Sequence, residues 1–276
     1  MLYFHWYGIL VKTVNPHKDS NMKKITLYNK IGFLLILSLT LFSQALFAQV
    51  QFIQSGKIEF EKKTNQHAPL LDEAENIWNA ERLKVFPKFV SDTYEIKFNS
   101  NKSVYKLAKD NPNNRYLLWG GKPVDTDATM QDLKQGTSIT QKEVFENTYL
   151  IKDSSRTWEW KIADETREIA GFECRKAVTR ICDSVVVVAF YTDQIPVSAG
   201  PESFGGLPGM ILGLAIPRLY TTWFATKVEL TEPTNNELNP KQKGKAVNRT
   251  QLTAELQKGM KDWGKEGASR IWMAQL

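Results

Sequence analysis

Residues 191–216 constrain this chain more than any other stretch. They read Tyr-Thr-Asp-Gln-Ile-Pro-Val-Ser-Ala-Gly-Pro-Glu-Ser-Phe-Gly-Gly-Leu-Pro-Gly-Met-Ile-Leu-Gly-Leu-Ala-Ile. The residues ahead of Pro196 and Pro201 are held extended, while Gly205, Gly206 and Gly209 permit backbone angles closed to other residues. Leu207-Pro208-Gly209-Met210 fits a type II turn, with Pro208 presetting φ and Gly209 taking the positive φ at the third position. An aliphatic run follows from Met210 to Ile216, so the stretch predicts a shaped loop that hands the chain into a strand.

The rest of the chain supplies partners for that strand. Residues 56–63 alternate, with Ile58 and Phe60 on one face, which predicts a half-buried first strand. Asp72 and Glu75 make a capping-box-like start to a helix on which Ala74, Ile77, Trp78 and Val85 recur at helical spacing until Pro87. Tyr94, Ile96 and Phe98 then share a face, Asn99-Ser100-Asn101 turns the chain, and Val104, Tyr105 and Leu107 complete a hairpin. Residues 109–136 are rich in Asn, Asp, Gly and Pro around one apolar island, Tyr116-Leu117-Leu118-Trp119, and read as a long connection with one short strand. Further strands are expected at 144–151, before a turn at Asp153-Ser154-Ser155, and at 158–162, where Trp158, Trp160 and Ile162 share a face. Residues 172–181 and 185–191 pair around Cys182-Asp183-Ser184, and the second is apolar enough for a sheet buried on both faces. Residues 210–216 and 219–230 form another pair, interrupted at Pro217. Residues 231–247 read as a polar surface loop, after which Thr250 caps a helix carrying Leu252, Leu256 and Trp263 on one stripe.

Adjacent strands joined by short turns pair antiparallel. The order of elements therefore gives an α+β fold: a curved, mainly antiparallel β-sheet packed with one N-terminal and one C-terminal helix. Its layout is analogous to the half-open barrels of bacterial lipoprotein carriers.

The beginning of the sequence carries a compartment signal. Residues 1–21 hold no lasting periodicity, and translation is expected to start at Met22. Lys23, Lys24 and Lys30 make a basic region ahead of the apolar residues 31–48, which end in Ala45-Leu46-Phe47-Ala48. That is a secretory pattern, read as a signal peptide over 22–48 with cleavage after Ala48. The competing reading is an uncleaved anchor, since a run of this length spans a bilayer. The expected mature chain is a single α+β domain over 49–276, exported to the periplasm or cell envelope with no stable transmembrane helix. Its charge is modest: thirty-one basic against twenty-nine acidic side chains, where the full chain carries +6. Those charges are interspersed, with no basic run threaded by aromatics, so nucleic acid is not an expected partner.

Two blocks carry a family resemblance. Phe204-Gly205-Gly206-Leu207-Pro208-Gly209-Met210-Ile211-Leu212, preceded by Tyr191-Thr192 and Gln194-Ile195-Pro196, closely resembles the signature of the GLPGLI family of exported Bacteroidetes proteins, with Met210 in place of the usual Leu. Gly171-Phe172-Glu173-Cys174-Arg175-Lys176-Ala177 is similar to a second strand of that family. The similarity extends from about Gly56 to Lys245. It implies export, and since the family has no established reaction it implies no catalytic residue.

The residues themselves exclude several chemistries. The mature chain holds one histidine, His67, and no nucleophile-elbow pattern surrounds Ser198 or Ser203, so a serine triad is not expected. His67, Cys174 and Cys182 lack metal-site spacing, so no metal or other cofactor is expected. Gly205-Gly206-Leu207-Pro208-Gly209 lacks the Lys-Ser/Thr and following helix of a phosphate loop. Cys174 and Cys182 lie about 26 Å apart if 172–181 is one strand, beyond disulfide reach.

What remains are binding candidates. In the loop they are Tyr191, Pro196, Pro201, Phe204, Gly205, Gly206, Leu207, Pro208, Gly209 and Met210. On the strands, Trp158, Trp160 and Trp223 either line a cavity or belong to the core. The expected function is a non-enzymatic binding or accessory protein for an apolar ligand, a peptide or an outer-membrane partner. The alternatives are a carboxylate-dependent hydrolase using Asp193 and Glu202, and a structural envelope component.

Overall fold

Period-two alternation becomes twelve β-strands hydrogen-bonded into one sheet, in the order β12-β6-β5-β4-β3-β2-β1-β11-β10-β9-β8-β7. In chain order they are β1 (Gly56–Asn65), β2 (Phe89–Phe98), β3 (Lys102–Lys109), β4 (Ala128–Asp132), β5 (Thr137–Val144), β6 (Asn147–Ser154), β7 (Lys161–Ile169), β8 (Phe172–Ile181), β9 (Val185–Thr192), β10 (Met210–Ile216), β11 (Thr221–Glu229) and β12 (Lys245–Val247). This computed structural model describes residues 28–33, 52–71, 77–117, 122–182 and 184–276. The chain divides into two units, Met1–Gln51 and Phe52–Leu276. Residues 28–33 of the first are helical; the sheet belongs to the second. Among the described residues no helix is long and apolar enough to cross a membrane.

The architecture is α+β with an open, curved and mostly antiparallel sheet. Among the described residues every strand pair is antiparallel except β12 with β6, as a mainly antiparallel sheet allows, though β12 itself falls where a surface loop was expected. Register divides the sheet into two faces. On one, called inner here, Ile58 stands opposite Ile96 and Val228, Phe60 opposite Tyr94 and Ala225, and Lys62 opposite Asp92 and Trp223. That face continues through Tyr105, Thr129 and Thr140 to Ile151. Ile58, Phe60, Ile96, Phe98 and Leu214 are fully buried, each worth roughly 1.5–3 kcal/mol of burial. On the outer face Glu95, 7% exposed, sits among Lys57, Lys97 and Lys106, all within 3.8 Å.

Helices occupy both faces. The helix Arg249–Gly259 lays Leu252 and Leu256 against Tyr149, Ile151 and Val247 on the inner face. Its cap is a box formed by Asn248 and Gln251, two residues before the expected Thr250. A further helix, Gly264–Met273, follows, and Trp263 stands at its start, 39% exposed, instead of continuing the Leu252–Leu256 stripe. Inside the expected polar loop the short helix Asn235–Leu238 buries Leu238 against Val104 and Met130 on the outer face. A capping box of Thr234 and Glu237 starts it.

Several expectations need correction. Residues 144–151 are not one strand: Phe145 and Glu146 take φ of 49° and 64° and form a two-residue turn between β5 and β6. Residues 158–160 lie outside any strand, and β7 begins only at Lys161. The strand of the 109–136 connection is β4, while Tyr116 is not in a strand. The helix Ile77–Val85 forms, but Trp78 (75%) and Val85 (57%) are exposed instead of covering the sheet. The cap expected at Asp72 and Glu75, with Ala74, lies outside the described residues, as do Leu118 and Trp119.

Candidate functional site

The loop between β9 and β10 folds back over the inner face through tight three-residue turns. Val197 N donates to Ile195 O across Pro196 at 2.7 Å, Ala199 N to Val197 O at 2.9 Å, and Gly209 N to Leu207 O across Pro208 at 2.8 Å. Proline's fixed φ is close to what the central residue of an inverse γ-turn needs. Leu207–Met210 is therefore not a type II turn. Met210 N is taken by Ile195 O at 2.9 Å, and Gly209 stands at φ 157° instead of the left-handed value. Gly209 is required for space: a Cβ there would lie 2.0 Å from the Thr192 carbonyl oxygen. The left-handed glycine of this segment is Gly206, at φ 85°.

Most of the expected binding loop is interior. Tyr191, Pro201, Phe204, Gly205, Leu207, Gly209 and Met210 are buried, and Pro196, Gly206 and Pro208 are exposed. Phe204 stacks on Trp158 with centroids 4.8 Å apart and meets Trp160 at 6.4 Å. Trp160 Nε1 donates to Gly205 O at 2.8 Å, so both tryptophans clamp the loop onto the sheet. Gln131 Nε2 donates to Ser203 O at 3.1 Å from β4, on the same inner face. Trp223, 1% exposed, lies apart from those two, beneath Lys62.

Between these clamps the loop lowers Glu202 onto the inner face. Glu202 adopts φ 57°, costly for a residue with a side chain, and its carboxylate accepts from Lys62 Nζ at 2.8 Å. Lys62 also stands 5.1 Å from the ring centroids of Tyr94 and of Trp223, and Tyr94 stacks on Tyr105 at 5.1 Å. Burial pushes the Glu202 carboxyl up, but Lys62 and Lys142 outweigh it and hold it below the ordinary range. Burial likewise opposes charge on Lys62, and Glu202 overcomes it, so that ammonium stays protonated.

The same face carries further polar groups. From the row Phe60, Tyr94, Leu107 the register runs, past the start of β4, to Asp127 and Lys142. Asp127 Oδ1 accepts from Glu143 N at 2.8 Å, and burial pushes its carboxyl up to about 6. Among the described residues the Lys142 ammonium makes no hydrogen bond or ion pair; desolvation holds it below the ordinary range, while Glu202 and Asp127 pull the other way. Arg156 donates to Gln275 O at 2.7 Å and lies over Trp158; burial lowers its guanidinium to about 10. Burial pushes the Tyr94 phenol up to about 12. Tyr94, Leu107, Asp127, Lys142 and Arg156 all stay partly exposed, and Lys62 keeps 29% of its side-chain surface accessible. These groups are strongly desolvated yet partly accessible, and they gather on one face of the sheet.

Sequence reasoning singled out Glu202 but paired it with Asp193, which is exposed. The signal for the rest was available: Lys62 continues the Ile58–Phe60 face and Lys142 the Thr140 face, placing lysines where alternation calls for core.

Residues 179–213 match the Porph_ging family, described as a protein of unknown function. The matched segment contains β9, the loop and the start of β10. No curated protein matches the chain. Among solved structures it is similar to PNGF-II in its P21 space group (17% identity, covering 70% of this chain and 32% of that one, TM-score 0.48). It is also similar to an uncharacterized conserved protein from Thermus thermophilus (6%, covering 75% and 98%, TM-score 0.37) and to MucB in complex with MucA(peri) (10%, covering 73% and 59%, TM-score 0.34). The chain spans about a third of the length of PNGF-II, and with TM-scores under 0.5 these likenesses carry no argument.

Proposed function

We propose that this protein is an exported, non-enzymatic binding or accessory protein of the cell envelope, a single α+β domain whose inner face takes an apolar ligand, a peptide or a segment of an outer-membrane partner. The observation that carries the reading is a cluster of groups that stay partly accessible beside the buried core of the inner face: Lys62, Tyr94, Leu107 and Lys142. Export rests on the basic, apolar and small-residue sequence over 22–48. The buried loop supports the site by delivering Glu202, and its exposed Pro196, Gly206 and Pro208 form a secondary contact surface.

Two measurements test this. Intact mass of the chain from the producing cell should place its first residue at Gln49, and retention of residues 31–48 would overturn the cleavage claim. Native mass spectrometry of that protein should show a co-purified ligand that is lost in Tyr94→Ala. An unliganded chain that also fails to bind any apolar or peptide probe would overturn the binding claim.

A carboxylate-dependent hydrolase is the second reading, favoured by one observation. Asp127 and Glu202 lie on one face with their ionisation pushed in opposite directions, an acid facing a carboxylate at pH below about 6. Turnover abolished by both Glu202→Gln and Asp127→Asn would select it.

A further inference from the structure

The helix Ile77–Val85 is built inside out. Asn79 is buried, at 2% exposure, while Trp78 (75%) and Val85 (57%), seven positions apart and so on one helical face, stand in solvent. The chain on either side is held by polar contacts. Gln66 Nε2 donates to Pro87 O at 2.8 Å, and His67 Nε2 donates to Phe86 O at 2.8 Å. Apolar exposure continues at both ends of the segment, at Leu71 (55%) and Phe89 (46%). A buried amide opposite an exposed tryptophan is the reverse of what a helix packed only on its own sheet shows, and it marks the outward face as a contact surface.

A bilayer or a protein would cover such a face, and charge decides between them. Residues 71–89 carry four acidic and three basic side chains, so no surplus draws them to anionic lipid. The charges are split along the sequence instead. Asp72, Glu73 and Glu75 precede Trp78, and Arg82, Lys84 and Lys88 follow it. Glu81 is the exception, and it pairs with Lys84 of its own helix at 2.8 Å. A segment with this pattern is complementary to itself reversed. In an antiparallel pair the acidic end of each copy lies beside the basic end of the other and the helix dipoles oppose, whereas a parallel pair brings like ends together.

We infer that this face is the contact between two copies of the chain, packed antiparallel about a two-fold axis near Trp78, with Trp78 and Val85 at its centre. It uses no residue of the candidate site, so it goes beyond the binding reading and stands or falls apart from it. One short helix per copy makes a small interface, which sets its dissociation constant on the order of micromolar.

Sedimentation equilibrium of the protein recovered from the producing cell, from about 1 to about 200 µM, tests the inference. A reversible equilibrium of monomer and dimer is expected, and Trp78→Ser should weaken it at least about ten-fold, as loss of a central tryptophan does. The charge split supplies a sharper arm. One variant carries Lys84→Glu with Lys88→Glu, another Asp72→Lys with Glu75→Lys; each alone should stay monomeric over that range, and an equimolar mixture should form the heterodimer. A monomer at every concentration overturns the inference. So does a dimer indifferent to Trp78→Ser, which would lie on another surface, or a mixture that associates no better than its components. Flotation with phosphatidylcholine vesicles adds one more case: a monomer that floats only while Trp78 is present assigns the face to a bilayer, and the inference falls. Thermal unfolding of each variant shows that lost association comes from a folded chain, and at so exposed a position Trp78→Ser should leave the midpoint nearly unchanged.

Discussion

Lys62 of β1 and Glu202 of the β9–β10 loop are 140 positions apart in sequence and 2.8 Å apart in space, Nζ to Oε1. Their pairing fastens the loop to the middle of the sheet and holds Glu202 at its left-handed φ of 57°. Breaking such a pair from one side costs more than the pair contributes, because it strands the remaining charge.

Glu202→Gln should therefore lower stability at pH 7 by about 2–4 kcal/mol, the lower end reflecting the partial exposure of Lys62. The folded-state carboxyl is held below its ordinary 4.5. Its contribution is thus present above the unfolded value and lost as pH falls through the folded one. Urea midpoints of wild type and variant should differ clearly at pH 7 and draw together in strong acid. Equal midpoints at pH 7 would refute a stabilising role for the pair.

Asp127 behaves in the opposite sense. Burial raises its carboxyl from 3.8 to about 6 in the folded protein, so the folded state binds that proton more tightly than the unfolded chain does. Stability is lost as pH rises from about 4 to about 6, and Asp127→Asn should recover roughly 1 kcal/mol at pH 7 and almost nothing at pH 4. The amide keeps an oxygen for the Glu143 N–H, so the loop contact survives. A destabilised asparagine variant at neutral pH would show that the carboxylate has an unrecognised partner.

Strands bounded by turn residues were legible to the residue. The sequence bounds of 172–181 and 210–216 are those observed, because Gly171 precedes the first and Gly209 and Pro217 flank the second. The β5–β6 hairpin was not legible. Its turn is Phe145-Glu146, which carries none of the Asn-Gly chemistry that announces two positive φ values. The helix Asn235–Leu238 was legible and overlooked, since Thr234 and Glu237 spell a capping box inside an otherwise polar run. The polar cluster of the inner face lay between these cases. Lys62 and Lys142 break the alternation of their own strands, but only the sheet order brings β1 and β5 onto one face with the loop above them. The tryptophans misled as a strand motif because aromatic spacing of two also fits an extended segment that clamps Phe204.

The two cysteines should differ sharply in reactivity. Cys174 lies fully buried near the start of β8, where burial pushes its thiol up to about 12, whereas Cys182 is exposed just beyond the end of that strand. The thiolate is the reactive form, so a maleimide added to native protein should give one adduct, at Cys182, and two after denaturation. A disulfide-linked peptide joining the two residues would overturn the straight course of β8.

The glycines of the loop rank by space rather than by φ. At Gly209 an added Cβ would stand 2.0 Å from the Thr192 carbonyl oxygen and 2.7 Å from its carbon, both backbone atoms anchored in the sheet. At Gly206 the nearest atom is the Trp160 Nε1 at 3.8 Å, so a side chain there meets only the left-handed φ of 85°. Gly206→Ala should accordingly cost about 1–2 kcal/mol, and Gly206→Asn less, because asparagine tolerates that region. Gly209→Ala has no such escape: β9 and β10 must separate, and the loss should reach about 4 kcal/mol or prevent folding. Gly209→Asn should be no milder than Gly209→Ala, since the obstacle is the Cβ itself. Thermal unfolding of the four variants checks the order. An asparagine at 209 as stable as one at 206 would mean that Gly209 is held for its turn conformation after all.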